Sequence, residues 1–173
     1  PSNYAGGVQI NNNATGSIAI STQHGATGIS ARTYNDTAAV NNAGSIAINS
    51  SSYNSSSYGI SAFSAYGSAD VVNSGSVTLT GAAAQGLSPY THNAMAGIYA
   101  KTGRHHDAGY GSGYYGALDT TITNSGNIDI HTSQGDGILG VAQYGSALVS
   151  NSGNIRIDNT FGGYGVVVQT GFN

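Results

Sequence analysis

The residues best suited to chemistry gather in one stretch, residues 101–119, which reads KTGRHHDAGYGSGYYGALD. It contains Lys101 and Arg104 of only four cations, His105 and His106 of five histidines, and Asp107 and Asp119 of seven acidic residues. Tyr110, Tyr114 and Tyr115 lie there too. A second stretch, residues 81–96, adds Pro89, Tyr90, His92 and Met95. Tyrosine within Gly/Ser-rich sequence offers a broad amphipathic contact at low entropic cost, as in antibody paratopes. The chemistry such loops suit is recognition, with rings stacking on a sugar or protein face while His, Asp and Arg bond its polar groups. The ligand-binding candidates are therefore Tyr90, His92, Arg104, His105, His106, Asp107, Tyr110, Tyr114, Tyr115 and Asp119.

Two other chemistries compete for the same residues. His105, His106 and Asp107, completed by His92 or Asp119, raise a metal reading. Adjacent side chains on an extended backbone point to opposite sides, so both imidazoles reach one ion only on an irregular turn. Zinc-site spacing is missing, and no metal or cofactor is expected. Glycoside cleavage needs two carboxyls at a fixed separation. Asp107 and Asp119 stand twelve residues apart in Gly-rich sequence and do not meet that need. Asp129 and Asp158 fall in an outward register and read as solubilising; His24 and His131 read as surface residues. No catalytic residue is assigned, and the chain is not expected to be an enzyme.

The elements that must position these loops are visible as repeats. One phrase reads Thr15-Gly16-Ser17-Ile18-Ala19-Ile20, Ala43-Gly44-Ser45-Ile46-Ala47-Ile48, Asn73-Ser74-Gly75-Ser76-Val77, Asn124-Ser125-Gly126-Asn127-Ile128 and Asn151-Ser152-Gly153-Asn154-Ile155. A second reads Gly28-Ile29, Gly59-Ile60, Gly97-Ile98, Gly137-Ile138 and Gly165-Val166. Gly28 to Gly44, Gly59 to Gly75 and Gly137 to Gly153 each span 16 residues, whereas Gly97 to Gly126 spans 29. A third segment, around Val40, Val71, Ile122 and Val149, ends four residues before the phrase glycine. A full repeat without insertion is 27 or 28 residues. Each holds three segments with period-2 alternation, so one side chain faces in and the next out.

Three strands per repeat, parted by Gly, Asn and Ser turns, describe an all-β fold: a single-stranded parallel β-helix, here expected to be right-handed. One β-solenoid spans residues 1–173, with excursions at 49–58, 81–96 and 101–119. The expected core has Ile18, Ile20, Ile46, Ile48, Val77, Leu79, Ile128, Ile130, Ile155 and Ile157 on one sheet. Ile29, Ile60, Ile98, Ile138 and Val166 line the second; Val40, Val71, Ile122 and Val149 line the third, beside Ala38, Ala69 and Ala147. Asn42, Asn73, Asn124 and Asn151 share one position and read as a structural ladder of amides. The phrase glycines are expected to supply positive φ or close packing at that corner.

Composition narrows the partners. Charged residues make up 6% of 173 residues, with a net charge of −3. Four cations form no basic stripe, so nucleic-acid binding through phosphates is not expected. No apolar run reaches transmembrane length and no basic amphipathic helix appears, so direct membrane insertion of this segment is not expected. Cysteine is absent, which suits a chain that crosses a periplasm unfolded. The chain begins at Pro1 without a signal peptide and starts and stops in mid-pattern, as a processed or excised piece, or a subunit whose ends neighbours cover, would. An ice-binding face needs a recurring Thr ladder, and Thr78, Thr80, Thr120, Thr121 and Thr123 do not recur in other repeats.

The Asn-Ser-Gly-x-Ile run, followed by a Gly-rich turn and then Gly-Ile or Gly-Val, resembles passenger domains of Gram-negative autotransporter adhesins. It is less closely similar to secreted β-helical hemagglutinin-like proteins. The resemblance covers about residues 7–168 and is specific for architecture. It implies a secreted, extracellular protein of the bacterial cell surface that binds a host or bacterial surface glycan or protein. Protease members carry Gly-Asp-Ser-Gly, where this chain has Gly135-Asp136-Gly137. Three roles stay open for the excursions: recognition loops, subunit contacts in a self-assembling extracellular fibre or biofilm-type filament joined through open rung edges, and solvated caps. Recognition by loops so poor in charge is expected to depend little on salt.

Overall fold

Alternating apolar residues at short, regular intervals leave each strand with one face to bury, and stacking successive repeats buries it. The computed structural model describes residues 6–51, 56–81, 95–103, 118–132, 134–159 and 162–171. Its fifteen strands, all paired in parallel, make a β-helix of three strands per rung. The first rung holds β1 (Val8–Asn12), β2 (Ser17–Thr22) and β3 (Thr27–Thr33). The second holds β4 (Ala38–Asn42), β5 (Ser45–Ser50) and β6 (Tyr58–Ser64). The third holds β7 (Ala69–Asn73), β8 (Ser76–Gly81) and β9 (Ala96–Thr102). The fourth holds β10 (Thr120–Asn124), β11 (Ile128–Thr132) and β12 (Asp136–Ala142), and the fifth β13 (Ala147–Asn151), β14 (Ile155–Asn159) and β15 (Val166–Thr170).

Three five-stranded sheets result. Sheet A runs β1-β4-β7-β10-β13, sheet B β2-β5-β8-β11-β14 and sheet C β3-β6-β9-β12-β15. The register stacks like on like. Ile18, Ile46, Val77, Ile128 and Ile155 form one column in sheet B; Ile29, Ile60, Ile98, Ile138 and Val166 form another in sheet C. Ile10, Val40, Val71, Ile122 and Val149 form the column in sheet A. Sheet C adds Ala31, Ala62 and Ala100 to the core, a column that closes the second repeat phrase but is not among the expected core residues. In the fifth rung Val166 and Val168, inward by alternation, are 43% and 47% exposed because no rung follows them in the structure.

The phrase glycines are not the ones with positive φ. Among the described residues those are Gly81, Gly103, Gly162 and Gly171. A Cβ on Gly126 would instead collide with the Gly75 carbonyl oxygen of the rung below, and one on Gly75 with that of Gly44. Only the absence of a side chain lets successive corners stack at strand spacing. The positive-φ pair marks the excursions: Gly81 (φ 138) ends β8 just before residue 82, and Gly103 (φ 91) follows β9 just before residue 104. The expected excursion limits shift accordingly. Asn49 and Ser50 belong to β5 and Tyr58 to β6, while Lys101 and Thr102 close β9.

Candidate functional site

Strand β9 organises the part of the molecule that departs from the repeat. Its chain arrives after residues 82–94 and leaves into residues 104–117, so both large excursions open from the two ends of this one strand of sheet C. The base of the second is pinned inside the core. Thr102 Oγ1 donates to the Leu118 carbonyl at 2.5 Å and lies 3.2 Å from Thr120 Oγ1. The Thr120 hydroxyl donates to the Val141 carbonyl at 2.8 Å. Both threonines are fully buried, with Thr120 in the column held by Ala69 and Ala147. A hydroxyl there is affordable only because it is hydrogen-bonded.

Of the binding candidates, Tyr90, His92, Arg104, His105, His106, Asp107, Tyr110, Tyr114 and Tyr115 lie outside the described residues. Asp119 is described, and its carboxylate has a local task. Oδ1 accepts the Ser146 N–H at 2.8 Å, tying the end of the excursion to the turn before β13. No group of three or more His, Cys, Asp or Glu side chains among the described residues is placed to hold a metal. No helix is long and apolar enough to cross a membrane among the described residues.

The outer face of sheet C carries side chains that the loop-centred reading passed over. Its alternate positions place Ser30, Ser61, Tyr99 and Leu139 in one register row, and Arg32, Phe63, Lys101 and Val141 in the next. The Arg32 guanidinium lies 5.1 Å from the Phe63 ring centroid. Tyr58 and Tyr99 stack at 5.0 Å with their planes 19° apart. Burial, with Tyr58 beside it, pushes the Tyr99 phenol far above its ordinary pKa against the pull of Arg32. Tyr58 is raised by burial too, so both phenols stay protonated and able to donate. Around the corner Tyr34 meets Tyr66 edge-on at 4.9 Å. The sequence signal for this face was the 31-residue offset that sets Arg32 against Phe63, readable only once the rungs are aligned.

Two other polar groupings stand apart from that face. On sheet B, His131 Nε2 lies 3.0 Å from Asp129 Oδ1, and its Nδ1 lies 3.6 Å from Asp158 Oδ2, which is 3.7 Å from Arg156. Asp129 Oδ1 accepts no well-aligned hydrogen bond despite the short contact. The Arg156–Asp158 contact is an exposed ion pair of the kind worth about 0–1 kcal/mol, and the His131 contacts add to it only when the imidazole is protonated. The asparagines form a continuous ladder. Asn12 donates to Asn42 at 2.7 Å, Asn42 to Asn73 at 2.7 Å, Asn73 to Asn124 at 2.6 Å and Asn124 to Asn151 at 2.6 Å. Asn12, four residues before its glycine rather than two, is a member the phrase did not reveal.

Asp136 is the one acid inside the stack among the described residues, at 1% exposure. Its Oδ1 accepts the Tyr164 N–H at 2.9 Å, and its Oδ2 has no hydrogen-bond partner. Burial raises its pKa, opposed by that backbone bond. A folded pKa above the unfolded one means the native state holds the proton more tightly. Stability is then greatest below the ordinary carboxylate range and is lost as pH rises through the raised value. Asp136→Asn keeps an acceptor for Tyr164 and removes the charge. The variant is expected to gain about 1 kcal/mol at pH 7 and to lose that part of the acid-side slope. Chemical denaturation of both proteins from about pH 4 to about pH 8 checks the difference.

No family model, curated protein or solved structure matches the chain.

Proposed function

We propose that this chain is a rigid segment of a secreted bacterial surface adhesin, recognising a glycan or protein on host or bacterial cells. The observation that carries the reading is the placement of β9. The two longest excursions, which carry Tyr90, His92, His105, His106, Tyr110, Tyr114 and Tyr115, open from its ends, beside the sheet that holds Phe63, Tyr58 and Tyr99. Aromatic anchors amid Ser and Gly bind neutral or weakly charged surfaces without a deep pocket. The stacked rungs supply a stiff support, because every strand of the three inner rungs, β9 among them, is bonded on both sides.

Fluorescently labelled chain, applied to epithelial and bacterial cells and read by flow cytometry, tests this. Tyr114→Ala/Tyr115→Ala is expected to weaken binding about tenfold or more with an unchanged melting temperature. Equal binding by this variant removes the excursion from the recognition surface.

Self-assembly into an extracellular fibre is the second reading, favoured by the exposure of Val166 and Val168 in the fifth rung. The register that stacks rungs within the chain would seat another there, from this chain or a second copy. Light scattering over a concentration series separates the readings, since a mass that grows with concentration belongs to the fibre alone.

A further inference from the structure

We infer that this chain is a substrate for N-glycosylation, with Asn13, Asn35 and Asn49 as the acceptors. Each opens an Asn-x-Ser/Thr triplet with x other than proline: Asn13-Ala14-Thr15, Asn35-Asp36-Thr37 and Asn49-Ser50-Ser51. That triplet is the acceptor pattern for a sugar on the Asn amide. In a chain so rich in Asn, Ser and Thr the triplet recurs by chance. What selects these three is their hydrogen bonding.

Thirteen asparagines lie among the described residues, and the fold divides them. Asn12, Asn42, Asn73, Asn124 and Asn151 are engaged in the amide ladder. Asn41 donates to Asn11 at 2.9 Å, Asn154 to Asn127 at 3.4 Å, and Asn159 to the Gly135 carbonyl at 3.0 Å. Not one of these ten has Ser or Thr two residues later. After Asn42, Asn73, Asn124 and Asn151 that position is the phrase glycine. Asn13, Asn35 and Asn49 are the other three. All are exposed, and their side chains make no hydrogen bond among the described residues. The unbonded amides are thus the same three that carry the acceptor triplet. A bonded amide would give up a partner to take a sugar, whereas these give up none.

The acceptors ring the first two rungs. Asn13 lies in the corner between β1 and β2, Asn35 in the corner between β3 and β4, and Asn49 near the end of β5, before the corner that leads to β6. Gly16 stands four positions after Asn12, where Gly44 stands two after Asn42, so Asn13 sits in a corner two residues longer than its neighbour's. Asn49 has Ser21 and Thr80 as register partners, small side chains that leave room for a sugar. None of the three lies in the excursions at 82–94 and 104–117, so the modification does not depend on recognition there. Its physical use is hydration. Charged residues are only 6% of the chain, and surface sugars supply solubility that charges supply elsewhere.

The reaction needs a glycosyl diphosphate, such as a sugar nucleotide, and a transferase. The bond from Asn Nδ2 to the anomeric carbon forms as the bond from that carbon to the phosphate oxygen breaks. The diphosphate leaves with the electron pair, and the amide proton passes to a base of the transferase. The hydroxyl two residues on is part of what the transferase reads. Thr15 and Ser51 are exposed, whereas Thr37 is half-buried with its Oγ1 2.9 Å from Ser68 Oγ of the next rung. Asn13 and Asn49 are therefore acceptors in the folded chain, and Asn35 only before its rung is covered.

Peptide mapping by electron-transfer mass spectrometry, on the chain isolated from the cells that produce it, tests the assignment. A sugar mass is expected on Asn13, Asn35 and Asn49 and on none of the ten bonded asparagines. Asn13→Gln, Asn35→Gln and Asn49→Gln should each lose one sugar. The same variants made without sugar should keep the melting temperature of the unmodified chain, because no hydrogen bond is removed. A soluble N-glycosyltransferase with UDP-glucose, given the folded unmodified chain, should modify Asn13 and Asn49 and spare Asn35, while modifying a peptide that carries the Asn35 triplet. Absence of sugar from all three sites overturns the inference. Sugar confined to Ser and Thr hydroxyls overturns it in favour of O-linkage, and sugar on the ladder asparagines overturns the selection by free amides. Modification of Asn35 in the folded chain as fast as in the peptide overturns the order of acceptors.

Discussion

Ile128→Asp will prevent the chain from folding. Ile128 is 1% exposed, sandwiched in its column between Val77 and Ile155, and its Cγ2 would lie 2.5 Å from a Cβ built on Gly97 of the neighbouring sheet. No cation or amide donor lines that column, so the carboxylate would be desolvated without a partner, at a cost of several kcal/mol. Lost apolar burial adds about 2–3 kcal/mol, and domains of this size have only about 5–15 kcal/mol in total. Far-UV circular dichroism and gel filtration of the purified variant check the outcome. Ile128→Val, at about 0.5–1.5 kcal/mol, is the control that keeps the hydrophobic position while shortening it. A folded, cooperative Ile128→Asp protein would show the register of sheet B to be wrong.

Asn124→Ala is expected to cost about 2–4 kcal/mol, far more than a polar surface substitution. Asn124 is 1% exposed and sits in the middle of the amide ladder. Its Oδ1 accepts from Asn73, and its Nδ2 donates both to Asn151 and to the Gly126 carbonyl. Truncation strips a partner from the buried Asn73 amide and from Gly126, and each orphaned group carries its own penalty. The effect should spread along the stack, because nearest-neighbour contacts carry stability between rungs. Hydrogen exchange would show protection falling in β10, β13 and β7 together. Urea denaturation of Asn124→Ala, Asn73→Ala and the double variant measures the coupling, with a double-variant loss smaller than the sum expected for bonded neighbours.

The repeat phrases carried the fold because period-2 alternation is a local property. Which of Ile128, Asp129 and Ile130 faces inward follows from the chain alone, as does the alignment of Gly75 with Gly126 across a 51-residue interval. The ladder positions were legible for the same reason. Asn12 escaped because two extra residues separate it from its glycine, and the glycines' task was only half legible. Collision with the next rung's carbonyl, rather than positive φ, is a relation between corners.

The loop candidates were chosen by composition, which locates where chemistry-bearing residues are dense and not what they meet. Asp119 looked like a ligand-binding acid and is engaged by the Ser146 N–H. Arg32, Phe63 and Lys101 looked unrelated, since 31 and 38 residues separate them along the chain.

The sequence by itself determined the three-strand rung, the inward columns, the amide ladder and the scarcity of charge, because each is written in spacing that survives without knowing the partner strand. Tertiary structure alone decided the rest. Stacking sets residues one repeat apart at strand spacing, so a guanidinium, a phenyl ring and an ammonium from three rungs become one surface. The same stacking removes Asp136 from water, so that its carboxyl pKa rises. Neighbourhood across rungs depends on the length of every insertion between them, and only the folded stack fixes that sum.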